Sequence, residues 1–244
     1  MAPPDNRPLA SAFGAVATTY HDVRPSYFVP LLDRAQEVLR VGPGACVLDL
    51  AAGTGRLTRE LAARFAEVVA VEPDDEMRRL LRVGRVIPGT AEAIPLDDGS
   101  VDAVFVGEAF HWFDADRAVN EIARVVRPRG GLAVISMHWW ETAPALPEPA
   151  IEFLREPYER FYDQRRPAWD GAFADSPFEP LRYEHAEEEI TVDVDTLLAL
   201  YSTTSSLAAL PEEERAELLA KVRRHLVGPY RLPIKHELAW TLLA

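Results

Sequence analysis

Val47-Leu48-Asp49-Leu50-Ala51-Ala52-Gly53-Thr54-Gly55-Arg56-Leu57 is the stretch on which the reading of this chain turns. A continuous apolar run, Ala45 to Leu50, is closed by Gly53 and suits a strand buried on both faces of a parallel sheet. Leu57, Leu61, Ala62 and Phe65 then form one helical stripe over 56–66. Strand, glycine turn and helix together let backbone come within contact distance of a ligand and supply N–H groups at a helix start. Asp49 stands just before the turn. A second acid, Glu72, ends the next apolar run (Val68 to Val71), 19 residues past Gly53. An acid at that place commonly takes a ribose diol with both carboxylate oxygens. The expectation is an adenosine-containing ligand at the carboxyl edge of the sheet.

The same alternation continues on either side. A helix is predicted over 29–40, ended by Gly42-Pro43-Gly44, and a mobile tail over 1–10. Asp74 can cap a helix carrying Met77, Leu80 and Leu81. Strands fit Arg85 to Ile87, Val101 to Val106 and Leu132 to Met137, and a helix fits 114–127, stopped by Pro128. Strands and helices at this pitch argue a Rossmann-like, doubly wound α/β fold. It would hold a mostly parallel seven-stranded sheet with helices on both faces. The pattern breaks over 139–181, rich in Trp, Phe, Tyr and Pro, which reads as an inserted cap holding Trp139, Trp140 and Trp169. A strand at 189–194, helices over 195–226 and a strand at 232–243 follow.

Composition removes several function classes. The 244 residues suffice for one generous domain, or one with a lid. With 39 acids against 26 bases the net charge is −13, which argues against nucleic acid or an anionic membrane as partner. A single cysteine, Cys46, excludes an internal disulfide and a cysteine zinc cluster, and no metal site is expected. It is compatible with a cytoplasmic location. No stretch approaches the roughly 20 apolar residues of a membrane span.

The kind of adenosine ligand follows from two details. A dinucleotide fingerprint wants a small residue at its third position, and here the register Gly53-Thr54-Gly55-Arg56-Leu57-Thr58 puts Thr58 there. The carboxylate of Asp49 would repel a pyrophosphate and attract an ammonium or a sulfonium. S-adenosyl-L-methionine carries both cations and a ribose.

Several blocks in order resemble the class I S-adenosylmethionine-dependent methyltransferases, of the broad type 11 group that includes the ubiquinone/menaquinone-biosynthesis and trans-aconitate methyltransferases. Tyr20 with Arg24-Pro25-Ser26-Tyr27 is similar to the family's leading segment, and Asp49 to Gly55 to its cofactor loop. Val69-Ala70-Val71-Glu72-Pro73 is similar to its ribose strand. Gly89 to Leu96, with Ser100-Val101-Asp102, is similar to its adenine segment. Glu108-Ala109-Phe110-His111-Trp112-Phe113 and Arg124-Val125-Val126-Arg127-Pro128 resemble the later blocks. Ala51 replaces a glycine common in the family, which is tolerable where that residue's φ is negative. Thr90 replaces an Asp near the adenine amino group.

The resemblance implies a division of the chain. Residues 1–40 would be a tail and leading helices, 41–138 the cofactor-binding core, 139–187 the inserted substrate cap, and 188–244 a strand-helix-strand completing the sheet. It also implies roles. Gly53, Gly55 and Ala51 would pass backbone under the methionine, Asp49 would face the cationic end, and Glu72, with Pro73 beside it, would take the ribose. Ala91 and Glu92 would meet the adenine, and Glu108 and Ala109 would lie under the transferring methyl. Tyr20 and Arg24 would join the cofactor site. For each acid the alternative is a solvated or capping carboxylate. Tyr20, Phe110 and Trp112 could steady a cation, or pack in the core.

If the acceptor needs a base, His111 and His138 follow the fourth and fifth strands, at the edge where open sheets bind ligands. The arginines 155, 160, 165 and 166 alternate with acids and read as a solvated face. The expected activity is methyl transfer to a small-molecule acceptor by a monomer or homodimer. A nicotinamide-dependent oxidoreductase and a non-catalytic cofactor-binding protein are the alternatives.

Overall fold

A computed structural model describes residues 11–139, 146–161 and 169–244. The tail expected at 1–10, and Trp140, Arg165 and Arg166, lie outside the described residues. Among the described residues, seven strands form one sheet: β1 Cys46–Leu50, β2 Glu67–Val71, β3 Arg85–Ile87, β4 Val101–Gly107, β5 Val126–His138, β6 Arg182–Val192 and β7 Tyr230–Leu242. Their order is β3-β2-β1-β4-β5-β7-β6. β1 pairs in parallel with β2 and β4, β2 with β3, and β4 with β5. β7 runs against them, since Leu243 just past its end donates to the Gly130 carbonyl near the start of β5 (2.8 Å). The strand order reverses between β1 and β4, the switch point at which open α/β sheets take ligands.

The helices are α1 Ala17–Val23, α2 Val29–Val38, α3 Arg56–Ala62, α4 Asp75–Leu80, α5 Ala115–Val125, α6 Glu148–Phe161, α7 Val194–Ser202, α8 Ser205–Ala208 and α9 Glu212–Arg223. Asp74 caps α4 as expected, accepting from the Met77 N–H at 2.9 Å. The doubly wound α/β architecture is the one read from the apolar runs. No helix of the described residues is long and apolar enough to cross a membrane.

By mutual contact the chain falls into two compact units. The first is Met1–Pro25, His138–Pro167 and Glu187–Lys235, and the second is Ser26–Met137, Ala168–Ala186 and His236–Ala244. The core of the second lies between the sheet and α5, with Leu48, Leu50, Val69, Val104 and Leu132 of the strands and Ile122 of the helix buried. In the first, α9 packs on α6 and α7, and Leu197, Leu200 and Val222 are fully buried. The segment 139–187 is divided between the units. Its aromatic residues Trp169 and Phe173 lie in the second, where their rings come 4.7 and 5.9 Å from that of Phe110.

Several boundaries differ from the sequence expectation: α3 stops at Ala62 rather than near 66, the helical stretch over 195–226 is three helices, and two further differences have a plain local cause. α5 ends at Val125 and β5 begins at once, because Val126 already pairs with Val101. A register shift then carries Pro128, which has no N–H to donate, past the ladder. β6 begins at Arg182 rather than near 189. It is an edge strand, and edges are commonly guarded by charge, here Arg182, Glu184 and Glu187. That guard hides the strand from an apolar-run reading.

Candidate functional site

Parallel pairing puts the carboxyl ends of β1, β2, β4 and β5 on one edge of the sheet. From β1 the chain must reverse into α3 within five residues. It does so with Ala51 at φ 58°, Gly53 at 57° and Gly55 at 80°, all left-handed. The turn is tied by Ala52 N–H to the Val71 carbonyl (3.0 Å) and Gly55 N–H to the Ala52 carbonyl (2.9 Å). The negative φ on which Ala51 was to be tolerable is therefore not found. The reversal forces this alanine into a conformation that costs an L residue about 1–2 kcal/mol. A side chain at Gly55 would strike Leu81 (2.8 Å to Cγ), whereas one at Gly53 would meet nothing within 4 Å. Gly53 thus lies on the open side of the turn.

Two buried acids flank this turn. Asp49, 1% exposed on β1, accepts the Thr58 hydroxyl on Oδ2 at 2.6 Å, and its Oδ1 is buried with no hydrogen-bond partner. Burial pushes its carboxyl up to about 7, with the nearby Glu72 charge adding to the rise and the Thr58 hydroxyl opposing it. Thr54 Oγ1, within the turn, is also buried and unpartnered. Glu72, 6% exposed at the end of β2, accepts the Gly53 N–H on Oε2 (2.8 Å) and the Asp74 N–H on Oε1 (2.9 Å). Burial raises its carboxyl above the usual range, and those two N–H groups hold it down. Each oxygen keeps a second lone pair, so a diol can still donate to both. Pro73 is exposed beside it.

At the end of β4, Glu108 sits at φ 59°. Its N–H donates to the Ile135 carbonyl (3.0 Å), and its Oε1 accepts the Met137 N–H. Ala109 is buried, and Phe110, 2% exposed, is a core residue. The half-buried His111 ring lies 4.6 Å from that of Trp112. His138 is half-buried as the last residue of β5 and belongs to the first unit.

In the adenine segment, Ala91 is buried and Glu92 accepts the Asp114 N–H (3.0 Å). The loop after it is clamped by Glu121 and Arg124; sequence reading quoted Arg124 within a family block but gave the pair no role. Arg124 donates to the carbonyls of Leu96 (2.7 Å) and Ile94 (2.8 Å), and Glu121 accepts the Ile94 N–H (2.8 Å). The i,i+3 spacing of Glu121 and Arg124 on one helix was the available signal. Tyr27 was quoted within the leading segment but given no role. It packs so tightly on Gly107 that a Cβ there would lie 2.2 Å from its hydroxyl.

Tyr20 and Arg24 belong to the first unit. Arg24 donates to Thr203 Oγ1 (3.0 Å) and to the Thr203 carbonyl (2.7 Å), with its guanidinium 4.8 Å from the Tyr20 ring and 5.5 Å from that of Trp139. The structure thus brings Asp49, Ala51, Gly53, Gly55, Glu72, Glu108 and Ala109 to one sheet edge, and gathers Tyr20 and Arg24 around Trp139. Among the described residues no three His, Cys, Asp or Glu side chains are grouped to hold a metal.

The donor set suits a cationic nucleoside: an orphaned buried carboxylate oxygen, an open glycine turn and a second acid with free lone pairs. Comparison with known proteins agrees. Residues 48–134 match the family described as Methyltransferase domain. The chain is 35% identical over 224 residues to an uncharacterized methyltransferase of Mycobacterium tuberculosis (strain ATCC 25618 / H37Rv), covering 90% of this chain and 87% of that protein. It is 39% identical over 146 residues to the malonyl-[acyl-carrier protein] O-methyltransferase of Methylococcus capsulatus, about half of each chain (53% and 51%). Among solved structures it resembles a putative type II methyltransferase from Anaeromyxobacter dehalogenans, with a TM-score of 0.63 and 26% identity, covering 90% of this chain and 97% of that one.

Proposed function

The chain belongs to the class I S-adenosylmethionine-dependent methyltransferases and is a methyltransferase, and from that premise we propose that it uses S-adenosyl-L-methionine to methylate a small-molecule acceptor. The observation that carries the choice of methyl donor is Asp49: a buried carboxylate with one oxygen unpartnered, beside an open glycine turn. Bound there, S-adenosylmethionine supplies a methyl on a positively charged sulfur, open to in-line displacement by the acceptor atom.

The chain's own groups would then hold and align. Asp49 would offer negative charge to the cationic end, and Glu72, with Pro73 beside it, would accept the ribose hydroxyls. Ala51, Gly53 and Gly55 would present backbone beneath the methionine, Ala91 and Glu92 would edge the adenine, and Glu108 and Ala109 would floor the methyl. Tyr20 and Arg24 enter from the family resemblance alone, and their contacts support a rigid mount. His111 or His138 would take a proton where the acceptor has one to lose. Exclusion of water and alignment are the main work left to the protein. The buried Phe110 supports a core role over a cation-steadying one.

The acceptor class is carried less far. The Methylococcus relative's name gives a carrier-bound malonyl group and oxygen as the methylated atom, so a carrier-bound acid is the second reading. The cytoplasm stays the expected location, with which the single cysteine is compatible. Calorimetric titration with S-adenosylmethionine and S-adenosylhomocysteine tests the donor, and the expected result is saturable binding. No heat at millimolar ligand overturns it. Mass spectrometry of a metabolite pool and of an acylated carrier protein, each incubated with enzyme and donor, then separates the two acceptor classes.

A further inference from the structure

Thr58 stands where a dinucleotide fingerprint carries its third small residue, and the structure gives its size a purpose. The side chain is fully buried on α3, and its two branches meet different partners. Gly84 approaches the methyl so closely that a Cβ there would lie 3.2 Å from Thr58 Cγ2. The hydroxyl donates to Asp49 Oδ2 at 2.6 Å. A β-branched side chain in a helix has few χ1 wells, so packing of the methyl fixes the direction of the hydroxyl.

Thr58 supplies the hydrogen bonding of Asp49, through its hydroxyl and its main-chain N–H. Its neighbours across the sheet are Ala70 on β2 and Phe105 on β4, neither with a side-chain donor. Among the described residues the charge that bears on it is the Glu72 carboxylate, of the same sign. With Oδ2 committed to Thr58, Oδ1 is the remaining acceptor, buried and without a partner.

We propose that Thr58 is a positioning residue for methyl-donor binding, holding the Asp49 carboxylate in one rotamer so that Oδ1 is the oxygen offered to the donor's cationic end. The donor half rests on the S-adenosylmethionine reading above. The Thr58–Asp49 half rests on geometry alone.

The test uses the full chain with Thr58→Val and Thr58→Ser. Two readouts are taken from pH 6 to 8.5: the calorimetric Kd for S-adenosylmethionine, and the 13C shift of the Asp49 carboxyl in the protein without ligand. Thr58→Val is expected to raise Kd at pH 7 by about tenfold, the scale of a hydrogen bond to a charged group. It should also move the Asp49 titration to higher pH, because the lost donation favoured the charged form. Thr58→Ser keeps the hydroxyl but loses the methyl that aims it, and should fall between the wild type and Thr58→Val in both readouts. An Asp49 titration unmoved by Thr58→Val overturns the positioning role. So does a Kd for S-adenosylmethionine left unchanged by Thr58→Val. Absence of S-adenosylmethionine binding by the wild-type chain overturns the donor half and the proposed function with it, while the carboxyl titration still decides the contact.

Discussion

Glu72 and Gly53 are hydrogen-bonded to each other, side-chain Oε2 to main-chain N–H at 2.8 Å, so the acid at the end of β2 and the glycine turn after β1 form one unit. The same carboxylate holds the N–H of Asp74, the cap of α4. A single buried side chain therefore sets both the shape of the turn and the start of the next helix.

Glu72→Ala removes the acceptor of two N–H groups together with the proposed ribose contact. Orphaned donors of this kind cost about 1–3 kcal/mol each. The expected result is a loss of stability in urea of that order and a Kd for S-adenosylhomocysteine raised at least tenfold. A variant of unchanged affinity would show that the carboxylate serves the turn alone.

Asp49 makes stability depend on pH. Its folded carboxyl titrates at about 7, against roughly 4 in an unfolded chain. Between those values the folded protein keeps a proton that the unfolded chain has lost. This group's contribution is complete below about pH 4 and is lost as pH rises through about 7. Between pH 5 and 8 the wild type should lose about 2–3 kcal/mol relative to Asp49→Asn, which carries no titrating group there. Scanning calorimetry of both proteins at unit pH steps measures the difference, and parallel curves would contradict it. Affinity for S-adenosylmethionine should run the other way, rising with pH through 7 as the carboxylate forms.

Ala51 and Glu108 share the left-handed conformation, at φ 58° and 59°, but differ in what holds them there. Ala51 has no polar side-chain atom to tie it. Glu108 accepts the Met137 N–H and so links the ends of β4 and β5. Ala51→Gly relieves about 1–2 kcal/mol of strain and gives back about 0.4–1 kcal/mol through the freer unfolded chain. A net gain between about 0 and 1.6 kcal/mol in chemical denaturation is expected. Glu108→Gly relieves similar strain but orphans the Met137 N–H, so it should bring no gain. Equal effects of the two substitutions would remove the distinction.

How far the fold could be read from the residues depended on what each strand faces. β1, β2 and β4 are mostly buried, so each is a largely apolar run between Gly, Pro and acidic punctuation, and its limits were legible to within a residue; β3, a three-residue edge strand that is less buried, was legible from its place in the alternation. β6 lies at an edge and alternates charge with partly buried positions, which blurs its start. The two acids and the glycine turn were legible because their spacing is local. Thr58 was legible only as a departure from a fingerprint, since its partner lies nine residues back on a different element. Trp169 read as part of a cap, yet it packs on Phe110, because an aromatic in an irregular segment carries no period that names its partner. The φ of Ala51 was beyond reach for the same reason: it follows from Ala52 bonding to β2, a contact made in space.

Gly107 ends β4 with the Tyr27 ring where a side chain would go. A Cβ there would lie 2.2 Å from the Tyr27 hydroxyl, 2.8 Å from its ring carbon Cζ and 3.0 Å from Leu57 Cδ2. Tyr27 is 8% exposed and Leu57 2%, so neither can swing into solvent without opening the core. Gly107→Ala is therefore expected to destabilise by about 1–3 kcal/mol, the usual cost of overpacking. Tyr27→Phe removes the nearest atom but leaves the ring, and should relieve the alanine little. Tyr27→Leu shortens the side chain, so in combination with Gly107→Ala it should cost less than the sum of the two single changes, with a coupling of about 0.5–3 kcal/mol. Urea denaturation of the four proteins closes this cycle. Strict additivity would show that the ring does not determine the glycine.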